Sequence, residues 1–152
     1  MSNIATQSDQ VVNTLNSLIE MNRDGQKGYQ EAAEKIEAAQ IKEFCLKQSR
    51  VRGQFVGELQ PEVRSSGGEP EETGSVAGAV HRAWIDLKSA LGGGDHAILA
   101  ASETGEDQAV KEYEEALEEA LPAPARAIVE RQLQSVKQAH DTVKGMRDRL
   151  DK

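Results

Sequence analysis

The sequence predicts an all-α protein, a bundle of long helices arranged as two helical hairpins with a long crossover between them. Three observations predict it. Apolar residues recur at spacings of three and four through five segments, the period of an amphipathic helix. No five-residue stretch alternates in the manner of a strand, and β-branched residues are few. Aromatic residues amount to two Tyr, two Phe and one Trp, so aliphatic side chains and Ala must fill the core.

The elements follow in order. Ser8 can cap a first helix running to about Ala38, with the stripe Val11, Leu15, Leu18, Asn22, Gly25, Tyr29, Ala32 or Ala33, and Ile36. A second helix spans about Ile41 to Val63, with the stripe Phe44, Gln48, Val51, Phe55, Leu59 and Val63. So short a break between them makes the pair antiparallel. Residues 65–74 read as a loop by their Gly and Pro content. Ser75 can cap a shorter helix over 76–91, whose apolar face is Val76, Val80, Ala83, Trp84, Leu87 and Leu91. Three glycines, Gly92 to Gly94, end it, having too much backbone freedom to stay helical. Asp95 can cap the next helix, reaching about Ala120, with Leu99, Ser102, Glu106, Val110, Tyr113 and Leu117 on one stripe. Pro122 and Pro124 break the chain and suit the start of a last helix. That helix runs to about Leu150 on Val129, Gln132, Val136, Ala139 or His140, Val143 and Met146.

An internal repeat links the two halves. A shift of 84 positions lays Tyr29 on Tyr113, Gln48 on Gln132, Leu15 on Leu99 and Gln54 on Gln138. Agreement at one offset across both helices suggests two equivalent hairpins, over 8–64 and 95–150, with a crossover over 65–94. A four-helix bundle with one long crossover is the ferritin-like arrangement. The whole chain, 1–152, then forms one ferritin-like domain, large enough to bury about two-thirds of its unfolded surface.

A formal charge of −8 argues against nucleic acid and anionic membranes, which both select a basic footprint. Cys45 is the lone cysteine, and Phe44 and Leu46 beside it suggest a buried structural thiol. The first residues carry neither a basic segment nor an apolar run, so no signal peptide is expected. No stretch approaches the ~20 apolar residues of a membrane span. A cytoplasmic location is the expectation.

Asp24-Gly25-x-x-Gly28-Tyr29, the segment from Ala79 to Lys88 with His81, Arg82 and Trp84, and Gly105-Glu106-Asp107 carry a resemblance. Together they resemble a bacterial family of ferritin-like four-helix bundles catalogued as a domain of unknown function. The likeness covers nearly the whole chain. It implies the fold and leaves the function open.

A di-metal carboxylate centre in such a bundle takes a Glu from each of two helices and Glu-x-x-His from the other two. No Glu-x-x-His occurs. Lys137 stands three before His140, Gly53 and Val56 hold the equivalent places in the first hairpin, and Asn22 stands opposite Glu106 in the repeat. Glu58, Glu103, Glu106 and His140 remain as polar residues near mid-bundle. They allow a non-standard site for iron or another divalent metal. They equally allow a hydrogen-bonded core network in which Lys137 and His140 neutralise Glu106, since a buried carboxylate needs a partner. The missing ligands favour the network.

Elsewhere the chemistry is sparse. His81 and Arg82 fit a role in pinning the crossover helix to acidic groups, and His96 beside Asp95 looks solvated. Eight acidic residues and one Lys between Glu103 and Glu119 give a local charge of −7, which a solvated helix face explains. Gly92 to Gly94 follow a helix and lack a P-loop Lys. The sequence therefore points to a non-catalytic ferritin-like domain acting as a homo-oligomer or through a partner. The apolar face of the 76–91 helix is one candidate surface for that partner. The alternative is a metal-dependent oxidase or iron-handling protein with an atypical ligand set.

Overall fold

The computed structural model describes residues 2–72 and 87–150, with side chains from residue 7 onward. It holds four long helices: α1 (Ser2–Lys35), α2 (Ala39–Ser65), α3 (Gly94–Ala116) and α4 (Ala123–Leu150). No strand occurs among the described residues, and the protein is an all-α helical bundle. The predicted starts and stops shift by a few residues. Helix α1 begins upstream of Ser8 because no Gly or Pro stands before it, and α3 closes at Ala116 instead of Ala120. Val76, Val80, His81, Arg82, Ala83 and Trp84 lie outside the described residues; residues 87–90 are helical, and Leu87 is buried.

Helix α1 packs on α2 and α3 on α4, while α1 also meets α3 and α2 meets α4. Two apolar clusters fix the polarity of each helix. One joins Val11 and Leu15 of α1, Val63 of α2, Ala116 of α3 and Ala125 of α4. The other joins Ile36, Ile41, Cys45, Ile98 and Val143 at the opposite end. Every neighbouring pair is therefore antiparallel. Helix α2 ends at the opposite end of the bundle from the start of α3, and residues 66–72 follow α2. They start up along α1: Asn16 Nδ2 donates to the Glu69 carbonyl (3.0 Å), and the Glu71 N–H donates to Asn16 Oδ1 (2.9 Å). Fully buried Leu15, Ile19, Leu59 and Val129 contribute roughly 1.5–3 kcal/mol each.

Two helix ends are built differently from the sequence reading. Asp95 does not cap its own helix, whose N-cap is Gly93 with no side-chain bond. Its carboxylate instead accepts from the Glu37 N–H (2.8 Å) and the Ala38 N–H (3.0 Å). It thus serves the N-terminus of α2, where orphan donors and the helix dipole favour an anion. This ties the second hairpin to the bend of the first. Helix α2 closes on Gly67, whose φ of 90° is open to glycine. The Gly68 N–H then reaches the Val63 carbonyl at 3.0 Å. A Cβ on Gly68 would stand 2.5 Å from Val12 Cγ1, so the turn can lie flat on α1 only without one.

Cys45 is buried and unpaired. Burial, and then the charge of Asp95, push its thiol up to about 12, the mark of a structural cysteine. Leu46 faces solvent.

A polar layer at mid-bundle

Midway along the bundle the apolar core gives way to a layer of buried polar side chains. Asn22, Arg52, Glu106 and Gln132 are each no more than 3 % exposed. Amphipathic spacing brings them there, since each occupies a stripe position on its helix. In one half of the layer the bonds form a chain across the bundle. Asn22 Nδ2 of α1 donates to the Tyr113 hydroxyl of α3 (2.8 Å). That hydroxyl donates to Gln132 Oε1 of α4 (2.7 Å). Gln132 Nε2 donates to Glu58 Oε1 of α2 (2.9 Å). Arg131 closes the outer end on Glu58 Oε2 at 2.7 Å. Burial pushes the Tyr113 phenol up, against the Asn22 bond, which lowers it.

The other half holds a buried ion pair. Arg52 Nη2 of α2 meets Glu106 Oε2 of α3 at 2.5 Å. Burial works against the guanidinium charge, but Glu106 and then Tyr29 more than offset it, and the Arg52 pKa rises. Breaking such a pair from one side leaves a bare buried charge, which is why both partners persist together. Gly25 faces Arg52 from α1, at a distance that leaves ordinary van der Waals contact for a Cβ. A Cβ there would stand 3.4 Å from Arg52 Nη1. The guanidinium carbon lies 5.6 Å from the centre of the Tyr29 ring, within cation–π range. Burial, and then the charge of Glu106, push the Tyr29 phenol well above its ordinary value.

Beside this pair lies a cavity of about 60 Å³, lined among the described residues by Asp24, Gly25, Gly28, Tyr29, Arg52, Ser102, Gly105 and Glu106, with Met21, Leu87, Ala101 and Ala109 on its apolar side. Three buried polar groups of this half have no hydrogen-bond partner among the described residues: the Tyr29 hydroxyl, Gln48 Oε1 and Arg52 Nε. Unpaired groups of this kind are uncommon in folded proteins and call for an explanation.

The four predicted site residues are divided among three places. Glu106 pairs with Arg52 inside the bundle. Glu58 lies with Arg131 and Gln132 on the α2–α4 side. Glu103 and His140 do come together, on the outer side of α3 and α4, with Asp107 as a third member. There His140 Nε2 lies 2.7 Å from Asp107 Oδ1 and 3.9 Å from Glu103 Oε1, and Arg147 pairs with Glu103. The network expected around Glu106 is corrected in its members. Lys137 reaches towards Glu114 (3.9 Å) and His140 towards Asp107, while Arg52 neutralises Glu106. The cause is rotation of α2: Arg52, not Val51, takes the inward position, with Val51 only partly buried. The spacing Cys45, Gln48, Arg52, Phe55, Leu59 carried that signal, on a stripe one residue removed from the expected one. A two-metal carboxylate centre does not fit this layer, which offers a guanidinium and two neutral amides where anionic ligands would stand.

No curated protein matches the chain. Residues 10–119, from α1 to just beyond α3, match the family described as Domain of unknown function (DUF2383). That match spans more than half of the sequence, and the chain belongs to this family.

Proposed function

We propose that this protein is a ferritin-like bundle that works by binding, taking a small polar molecule into the cavity beside Arg52 and Glu106. One observation carries the reading. Tyr29 and Arg52 both line that cavity, both are more than nine-tenths buried, and each keeps a polar atom without a partner among the described residues. A buried polar group left unsatisfied costs about 1–3 kcal/mol, and a ligand that supplies the bonds recovers it. The test is a screen of small fragments of every charge class, read on the Arg52 Nε–H and Gly28 backbone amide resonances. Saturable shifts that vanish in Gly105→Leu, which fills the cavity, support the proposal. If no fragment moves either resonance, the interior is not a binding site.

A second reading rests on Glu103, Asp107 and His140, whose ligand atoms all lie within 4.8 Å of one another. Iron or another divalent cation could sit there, and loss of its binding in His140→Ala would establish the site. Arg147 on Glu103 supplies positive charge already, which is why we place this reading second. Self-association, or a protein partner in the cytoplasm, is compatible with both. Leu46 and Leu150 are exposed near the same end of the bundle, and sedimentation of Leu46→Glu with Leu150→Glu tests whether an assembly forms there.

A further inference from the structure

The shift of 84 positions that relates the hairpins in sequence also relates the two halves of the polar layer. It carries Asn22, Tyr113 and Gln132 onto Glu106, Tyr29 and Gln48. In the first trio, the Tyr113 hydroxyl lies between two carboxamides. The Asn22 amide donates to it at 2.8 Å, and the Gln132 carbonyl oxygen accepts from it at 2.7 Å. In the second trio, Gln48 stands where Gln132 does, and among the described residues its Oε1 and the Tyr29 hydroxyl have no partner in hydrogen-bond geometry, Glu106 lying near enough to the phenol to raise its pKa. Glu106 stands where Asn22 does. A carboxylate has no N–H to give, and Arg52 holds this one at 2.5 Å. What the second trio lacks is the carboxamide that Asn22 supplies to the first.

We propose that the cavity is a site for a small neutral molecule bearing a carboxamide or urea-type group, which takes the part of the missing side chain. This rests on the binding reading above and names its ligand class. The N–H of such a group donates to the Tyr29 hydroxyl, and its carbonyl oxygen accepts from Arg52 Nε–H. Neutrality follows from the walls. Arg52 and Glu106 cancel one another, so a charged ligand would be buried without a counter-charge. Size agrees: a water needs ~10–15 Å³ on this measure, so the cavity's 60 Å³ holds a group of roughly four to six heavy atoms. Met21, Leu87 and Ala101 suit a short aliphatic substituent. Asp24 also lines the cavity and engages in an interaction of its own; a cation is therefore the rival that the test must separate.

Acetamide, acetate and acetamidinium share one size and differ in charge. Each is titrated into the full chain at millimolar concentration while the Arg52 Nε–H and Gly28 backbone amide resonances are followed, both residues lining the cavity. The expected result is saturable movement of both resonances with acetamide and none with the two ions. Tyr29→Phe, which keeps the ring against Phe44, should weaken acetamide about five- to tenfold, the loss of one hydrogen bond. Tyr113→Phe, in the other trio, should leave acetamide affinity within about twofold, since it touches none of these groups. Binding of acetate or acetamidinium in place of acetamide overturns the ligand class and leaves the cavity as a binding site. Acetamide binding that is indifferent to Tyr29→Phe overturns the assigned contacts. Silence with all three probes, while other fragments bind, overturns this inference alone; silence with every fragment overturns both readings.

Discussion

The two halves of the polar layer share a tyrosine and a glutamine at equivalent positions, yet the tyrosine is sealed by hydrogen bonds in one half and open in the other, while Asn22 Oδ1 beside the sealed one has no partner among the described residues. Three exchanges at the shift of 84 account for the difference. Asn22 in the sealed half corresponds to Glu106 in the open one; Val136 corresponds to Arg52; and Ala109, one turn before Tyr113, corresponds to Gly25, one turn before Tyr29. An amide donates and accepts, so it can satisfy a phenol and pass the bond onward. A carboxylate only accepts, and once buried it recruits a cation. The cation here is Arg52, which meets Glu106 at 2.5 Å. The same scaffold thus supports a closed hydrogen-bond chain or an ion pair beside a cavity, according to a few side chains.

The largest expected effect comes from splitting the ion pair. Arg52→Leu or Glu106→Leu alone should cost about 3–5 kcal/mol in urea unfolding, because either leaves an uncompensated buried charge. The double substitution should return much of that loss, since an apolar pair of similar volume often replaces a buried ion pair at little cost. If the single changes cost no more than a surface pair, about 1 kcal/mol, then Arg52 and Glu106 are hydrated and the contrast between the halves collapses.

Next in size is the tyrosine comparison. Tyr113→Phe strips a partner from both Asn22 and Gln132 and should cost about 1–3 kcal/mol. Tyr29→Phe removes a hydroxyl that has no partner in hydrogen-bond geometry among the described residues and should change stability by less than about 0.5 kcal/mol. Equal costs would mean that Tyr29 is as well bonded as Tyr113 and that the open half is not open. The tyrosines also set the alkaline limit. Both folded pKa values lie above the ordinary one, so stability is fully present below about pH 10. It falls at higher pH as unfolded tyrosines ionise, and each Phe variant should soften that fall.

Much of the fold could be read from stripe spacing alone, because burying one face of each helix is the dominant energy and leaves a periodic trace. Leu15, Leu18, Leu59, Leu99, Val129 and Val136 were all placed inward by it, and all are buried. The site was less legible. Neighbouring residues on a helix point about 100° apart, so choosing Val51 or Arg52 as the inward residue is a small rotation that reverses which charge enters the core. Hydrophobicity argues for Val51. Only the meeting of Arg52 with Glu106, on a different helix, shows why Arg52 turns inward, and that is tertiary information. The same ambiguity applied at Ala139 and His140, where Ala139 faces in and His140 lies to the side. Asn22, Gln48, Tyr29, Tyr113 and Gln132 stood in the repeat from the start. Their pairing needed the packing of α1 against α3 and of α2 against α4.

A smaller effect, of the opposite sign, is expected at the cavity wall. Gly105 sits within α3, and a Cβ there would meet nothing within 4 Å. Gly105→Ala should stabilise the protein by up to about 1 kcal/mol through helix propensity alone. Gly68→Ala provides the contrast, since its Cβ would collide with Val12, and it should destabilise. Were Gly105→Ala destabilising instead, the space beside it would be filled already.

The smallest effect is expected outside both halves, on the solvent side of α3. Burial works against the charge of His140, but its bond to Asp141 and the charges of Asp107 and Glu103 outweigh it and raise the pKa. A raised folded pKa means that this contribution to stability is complete below the unfolded value of about 6.5. It is lost as pH rises through the folded pKa. Stability of the wild type should therefore decline slightly across that window, and His140→Ala should flatten the decline. The cluster is open to water, and Arg147 already shares Glu103, so added salt should shrink the effect further. In the same variant the Arg52 Nε–H resonance should respond to acetamide as in wild type, because Glu106 points into the bundle while Glu103 and Asp107 meet His140 and Arg147. A change in that response would show that the two sides of α3 are coupled, and the open half would then have to be described together with His140.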